Sequence, residues 1–421
     1  MERIPLLAAT RGFIDSQREA EAGVPCRFLR ARGDRGLLLW STFVGFALAF
    51  LLYLVLPTST VGWDSDAYLA MARHPFDSGQ VMPFPTRILV PLLVWVLPFD
   101  PDVGFHITTI GGLTAGAVIV AFIARRIGVH ALALAAAPAY VLSFHGIYGT
   151  WQWRLIDAVS VPLFGAGLLA AYNHRKVATS VLAGAAAAAK EIGVTLPLAY
   201  LAARSGGIVR RRRLFVETAL VALLPLTVFI GLRLLVGQSV ALAPQHEDWN
   251  TEQWDPFRSY TLGITMYREW GYGRPLVQVL VQNHGLLFLL WPLALLFAPG
   301  RWRRMHLYAL LLLPILAGGP WARSTMYLLP FVLPSGLLLL SRLPLGRASV
   351  AVAASIAVAV PLSLRNIAID ELSSNLWLVP GAIVFAVAAA PAVREAAERA
   401  VVAVRSRRAP PTPDPARGST S

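Results

Sequence analysis

The amino-acid sequence predicts an all-α polytopic membrane protein, and three observations carry that prediction. Of its 421 residues 56% are hydrophobic and only 14% are charged, against roughly a quarter charged in soluble domains. The mean hydropathy is +0.59. The apolar residues fall in repeated runs of about 18 to 25, long enough to cross a hydrocarbon core as helix. These runs are Leu, Ala and Val with internal Gly and Pro, which membrane helices tolerate. They lack the alternating pattern of a membrane β-barrel.

Taken in order, residues 1–35 are polar and mixed in charge, too long and acidic for the charged start of a signal peptide, and read as a cytoplasmic segment. The first span, 36–56, has no small-residue cleavage site after it and reads as an uncleaved anchor. Further spans are expected at 103–124, 130–147, 157–172, 214–236, 283–298, 305–319, 325–340, 348–363 and 375–391, which makes about ten full spans in one domain, 36–391. The outer loops are 57–102 and 238–282, and 392–421 is a basic cytoplasmic tail. From Arg405 that tail is rich in Pro, Ser and Thr and is expected to be disordered.

The segment 177–203 is read as a short helical hairpin turning near Lys190, Glu191, Ile192 and Gly193. Drawn as one span, it would send every later basic cluster outside. Drawn as a hairpin, with Gly193 and Pro197 easing the break, it keeps them all inside. Within the first outer loop, 64–73 and 86–97 are too short to cross and are expected to be two interfacial helices. Trp63, Trp95, Tyr148, Trp151, Trp153, Trp249, Trp254 and Trp270 fall near the same face, as an aromatic belt would. No fixed-period repeat or two-halves symmetry is evident.

The net charge of +14 comes from 37 basic residues. Most sit in short clusters between apolar runs, among them Arg125 with Arg126, Arg175 with Lys176, Arg210 to Arg213, and Arg301 with Arg303 and Arg304. That is the positive-inside signature, with attraction to anionic membrane lipid as a by-product. No soluble basic domain exists to bind nucleic acid. Cys26 is the single cysteine, which excludes an intrachain disulfide and a cysteine-based metal site. There is no phosphate-binding GxxxxGK[ST] loop, HExxH or GxSxG, and no nucleotide or redox cofactor is expected.

The residues able to carry chemistry lie at the loops. In "GWDSDAYLAMARHPF" Asp64 and Tyr68 are four apart and share a helix face, while Asp66 points elsewhere. Asp64 is either a general base or metal ligand, or a carboxylate that caps the helix and complements its dipole. Arg87 stands among Pro83, Pro85 and Pro91. It is either a bidentate grip on a lipid phosphate or a side chain snorkelling to headgroups. Lys190 and Glu191 are costly charges in an apolar hairpin, facing a cavity or neutralising one another. Arg154 and Asp157 read as a local ion pair. Arg323 and Tyr327, one turn apart at the outer start of a span, aim at the same cavity or anchor the interface. His246, Glu247, Asp248 and Asp255 in the long loop bind an acceptor or a divalent ion, or are simply solvated.

Together these features resemble the GT-C superfamily of polytopic glycosyltransferases, which use polyprenyl-phosphate-linked sugars. "DSDAYLAMA" resembles the family's first-loop aspartate motif, with Asp64 in the catalytic position and Tyr68 as the motif tyrosine; Asp66 is a candidate that either substitutes for the family's second acid or does not. "FPTRILVPLL" resembles the arginine-bearing second helix of that loop. "AGAAAAAKEIGVTLP" resembles its "GLA…KE" segment through Lys190 and Glu191, and "RSTMYLLP" its late "R…Y…P" segment through Arg323 and Tyr327. Ser65 stands where members often carry the second acidic residue. The resemblance implies inverting transfer from a lipid-phosphate sugar to a hydroxyl of a glycan, lipid or protein at the outer face, with metal dependence left open. A lipid-linked glycan flippase or other transporter would keep the arginines without needing a base. A non-catalytic membrane subunit of an envelope-assembly complex would need neither.

Overall fold

The computed structural model describes residues 33–59, 63–75, 87–206, 211–236, 280–281, 283–317, 323, 325–366 and 378–408. Among these there is helix and no strand. The helices are α1 (Gly33–Val55), α2 (Trp63–Arg73), α3 (Leu89–Val96), α4 (Pro101–Arg126), α5 (Ala136–Val141), α6 (Phe144–Trp151), α7 (Asp157–Tyr172) and α8 (Lys176–Ala189). They continue as α9 (Leu196–Arg204), α10 (Arg211–Val236), α11 (Leu287–Ala294), α12 (Gly300–Ala317), α13 (Leu329–Leu340), α14 (Leu345–Asn366) and α15 (Leu378–Arg408). Three-residue-per-turn segments precede α5, α9 and α13, at Ala131–Ala135, Glu191–Thr195 and Thr325–Leu328.

Six segments among the described residues are long and apolar enough to cross a membrane: Gly33–Val55, Pro101–Arg126, Ala131–Trp151, Arg211–Leu235, Leu345–Leu364 and Leu378–Val402. Asp157–Tyr172, Lys176–Ala189 and Thr325–Leu340 are shorter apolar helices, and α12 opens on Arg301, Arg303 and Arg304. The last helix does not stop near 391. It continues to Arg408, through an Ala-, Glu- and Arg-rich stretch of good helix formers with Arg394–Glu398 and Glu395–Arg399 pairs four apart.

Helix α4 is central. Asp100 caps it by accepting from the Asp102 amide at 2.9 Å, Pro101 opens it, and Arg125 and Arg126 close it. It packs against α1 and α7. Proline at 162 within α7 leaves the Ala158 carbonyl without a helical donor. Gly112 of α4 lies directly over that carbonyl, where any Cβ would collide with it. This close approach holds the first turn of α7, and hence Asp157, against α4.

The 177–203 segment is a hairpin. Helix α8 ends as Lys190 turns extended (φ −164°, ψ 142°), and Gly193 then folds back on the α8 backbone at Ala186 and Ala187, leaving no room for a side chain. Both ends of the hairpin meet on one acid. Lys176 approaches Glu217 of α10 at 2.9 Å and Arg204 approaches it at 3.2 Å. Arg304 donates to the Ala202 and Ala203 carbonyls, and Arg301 to the Tyr172 carbonyl, so these cations share one end of the bundle. Lys190 lies at the other end, beside Asp157. The two ends are about 24 Å apart along α7, taking ~1.5 Å per residue.

The two short helices of the first loop are docked, not loose. Tyr68, Met71 and Ala72 of α2 and Val90 and Val94 of α3 form a small core with Phe105, Trp153, Leu155 and Ile156. Trp153, expected in the aromatic belt, is instead buried. It stacks on His106 at 3.9 Å and lies under the Arg154 guanidinium at 4.7 Å. Helix α1 buries the small residues Ser41, Gly45 and Ala49 and turns Leu39, Phe43 and Phe46 outward, as a lipid-facing helix does.

Candidate active site

The hairpin tip, the first turn of α2, the residues before α3, the start of α7 and the approach to α13 converge on one ion-pair network. Arg323 is its centre, donating from Nη1 to Asp64 and from Nε to Asp157. Asp157, 1% exposed, also receives the Lys190 ammonium at 2.8 Å. The Tyr327 hydroxyl lies 2.5 Å from Ser160 Oγ and 3.5 Å from the Asp157 carboxylate, and its ring lies 5.2 Å below Lys190 Nζ. Next to this group, Arg87 Nε donates to both Glu191 oxygens at 3.0 and 3.2 Å, and its Nη1 donates to the Tyr68 hydroxyl at 3.3 Å.

The local reasons are legible. Adjacent residues in extended backbone point opposite ways, so the extended Lys190 sends its side chain to Asp157 while Glu191 reaches Arg87. The self-neutralising pair of Lys190 with Glu191 is not what forms. Likewise Arg154 does not pair with Asp157. It bridges Asp66 at 3.6 Å and Asp102 at 3.0 Å on the other side of α2. Asp64 and Asp66 therefore serve different cations, as a spacing of two on a helix requires. Ser65 between them donates to Gln152 at 3.0 Å and pins the helix start to the turn before α7.

Three carboxylates (Asp64, Asp157, Glu191) and three cations (Arg87, Lys190, Arg323) balance one another, so the network is neutral. Burial pushes the Tyr68 phenol up to about 12, with the Arg87 and Arg323 guanidinium groups pulling the other way, so it stays a neutral hydrogen-bonding group at physiological pH. Arg323 keeps Nη2 buried and without a protein partner among the described residues. No group of three or more His, Cys, Asp or Glu able to hold a metal occurs among the described residues. Asp64 and Asp157 are joined through a guanidinium, which already supplies positive charge between them.

Of the residues singled out in the sequence, Asp64, Tyr68, Arg87, Lys190, Glu191, Arg323 and Tyr327 thus come together, and Asp66 stands apart. His246, with Glu247, Asp248 and Asp255, lies outside the described residues. Asp157 was missed as a member of the site. The signal was present: a carboxylate at the mouth of an apolar span needs a cation, and Lys190 needed an anion. Comparison with protein-family models, with curated proteins and with solved structures finds no match to this chain.

Proposed function

We propose that the protein is an integral membrane glycosyltransferase that moves a sugar from a polyprenyl-phosphate donor to an acceptor hydroxyl. The observation that carries this reading is the pairing of Asp64 with Arg323 beside Arg87, a carboxylate and two guanidinium groups held at one mouth of the helix bundle. In the proposed reaction the donor phosphate takes Asp64's place on Arg323 and meets Arg87. The released Asp64 accepts the proton of the acceptor hydroxyl, whose oxygen bonds to the anomeric carbon from the face opposite the phosphate. The bond from that carbon to the phosphate oxygen breaks, and the polyprenyl phosphate leaves with the electron pair, its charge balanced by the arginines. The order of motifs resembling the GT-C superfamily supports the same assignment.

The site is proposed to face the outside of a cell membrane, with both termini in the cytoplasm and about ten segments crossing, some as short or broken helices. The gathering of Arg126, Lys176, Arg204, Arg301 and Arg304 at the opposite end of the bundle supports this orientation. The test is sugar transfer from radiolabelled polyprenyl-phosphate sugars by purified wild type and Asp64→Asn in lipid vesicles. Loss of transfer with retained donor binding supports the enzyme. Unimpaired movement of lipid-linked glycan across the vesicle, with no transfer by either form, assigns a transporter instead.

A further inference from the structure

An open groove of about 400 Å³ lies between helices α14 and α15, near the end where Arg342 of the α13–α14 turn pairs with Glu395 of α15. That volume falls within the ~300–1,000 Å³ of ligand clefts. Its walls are Val350, Ile383, Val384 and Val387, each between 44% and 63% exposed, and Gly346 and Arg347 lie at the end where α14 begins.

The position of Arg347 has a specific cause. Pro391 lies inside α15 and has no N–H, so the carbonyl four residues earlier, that of Val387, loses its helical donor. Arg347 replaces it: Nη2 donates to the Val387 carbonyl at 3.0 Å and Nε to the Ala388 carbonyl at 3.1 Å. The guanidinium is thereby fixed at the groove's end before any ligand arrives. Neighbouring Arg342 and Arg399 share Glu395, and Arg394 has Glu398, but no carboxylate among the described residues lies within ion-pair distance of Arg347.

We propose that this groove is a docking site for an anionic glycerophospholipid of the surrounding leaflet, one acyl chain against the valine and isoleucine walls and the phosphate on Arg347. The apolar walls belong to two helices that are themselves apolar enough to cross a membrane, so the occupant is hydrocarbon. The pre-positioned cation at the polar end, with no carboxylate among the described residues in ion-pair reach, selects a negative headgroup.

The test uses the full-length protein taken from bilayers of equal phosphatidylglycerol and phosphatidylcholine, with retained lipids counted by native mass spectrometry. Wild type is expected to retain phosphatidylglycerol about five- to tenfold over phosphatidylcholine. Arg347→Ala should abolish the preference while leaving some lipid of either kind. Ile383→Trp, which fills the groove, should remove the retained lipid, and Val350→Phe repeats the test should Ile383→Trp unfold. Equal retention of the two lipids by wild type overturns the proposal. So does an unchanged preference in Arg347→Ala, or stripping of the lipid by excess inorganic phosphate, which would make the site a free-anion site.

Discussion

Arg323 and Asp64 are ion-paired although 259 residues of chain separate them. On the proposed function, this pair couples the two groups: a donor phosphate that takes Asp64's place on Arg323 frees Asp64 for the acceptor. Because the network is neutral, the proposed donor phosphate would compete with a carboxylate for its cation. The consequences differ residue by residue.

Asp64→Asn removes the charge while keeping the shape and the helix-start preference. Sugar transfer should fall by about two orders of magnitude or more, the scale of general-base loss. Donor binding, measured separately with a fluorescent polyprenyl phosphate, should hold or tighten, because Arg323 is freed. Asp66→Asn should leave transfer nearly intact, since Asp66 is 73% exposed and Arg154 keeps Asp102. Full activity of Asp64→Asn would reduce Asp64 to a helix-start carboxylate.

Arg87→Ala should abolish donor binding, and Arg87→Lys should rescue it poorly, because an ammonium lacks the bidentate fork. Removing Arg87 also strands Glu191, so stability falls as well. The double variant Arg87→Ala/Glu191→Gln separates the two effects. It should recover thermal stability in detergent without recovering donor binding. Recovery of both would make Arg87 a purely structural partner of Glu191.

Asp157→Asn should cost several kcal/mol of stability, on the order of 3–5, the usual penalty for breaking a buried ion pair. It removes the one carboxylate that Lys190 and Arg323 share, leaving Arg323 paired with Asp64. Lys190→Met in that background should restore part of the loss, detectable as a positive coupling in a double-mutant cycle of unfolding midpoints. Additive effects would mean that the two groups do not interact.

Cysteine labelling in a Cys26→Ser background tests the hairpin. Because Lys176 and Arg204 both reach Glu217, Ser205→Cys and Ser349→Cys should react from the cytoplasmic side, and Thr58→Cys from the outside. Reaction of Ser205→Cys from the outer side would invert every later loop and sink the orientation proposed for the site.

Much of this was legible in the chain alone. Long apolar runs make helices that only a bilayer or one another can cover, and the helical period puts Asp64 with Tyr68 and turns Asp66 away; both follow from local geometry and transfer energies. The hairpin was legible through the grouping of basic clusters, a sum over many loops. What the tertiary structure alone decided is which charge answers which. Asp157 looked like the partner of Arg154, three residues before it, but the buried start of α7 faces Lys190 and Arg323 while Arg154 turns to α2 and α4. Lys190 and Glu191 looked like partners of each other, and one extended residue sends them to different helices. Pairing among buried charges depends on where backbones approach, here through Gly112 and Gly193, and distance in space between segments far apart in the chain is not written in any local pattern of residues.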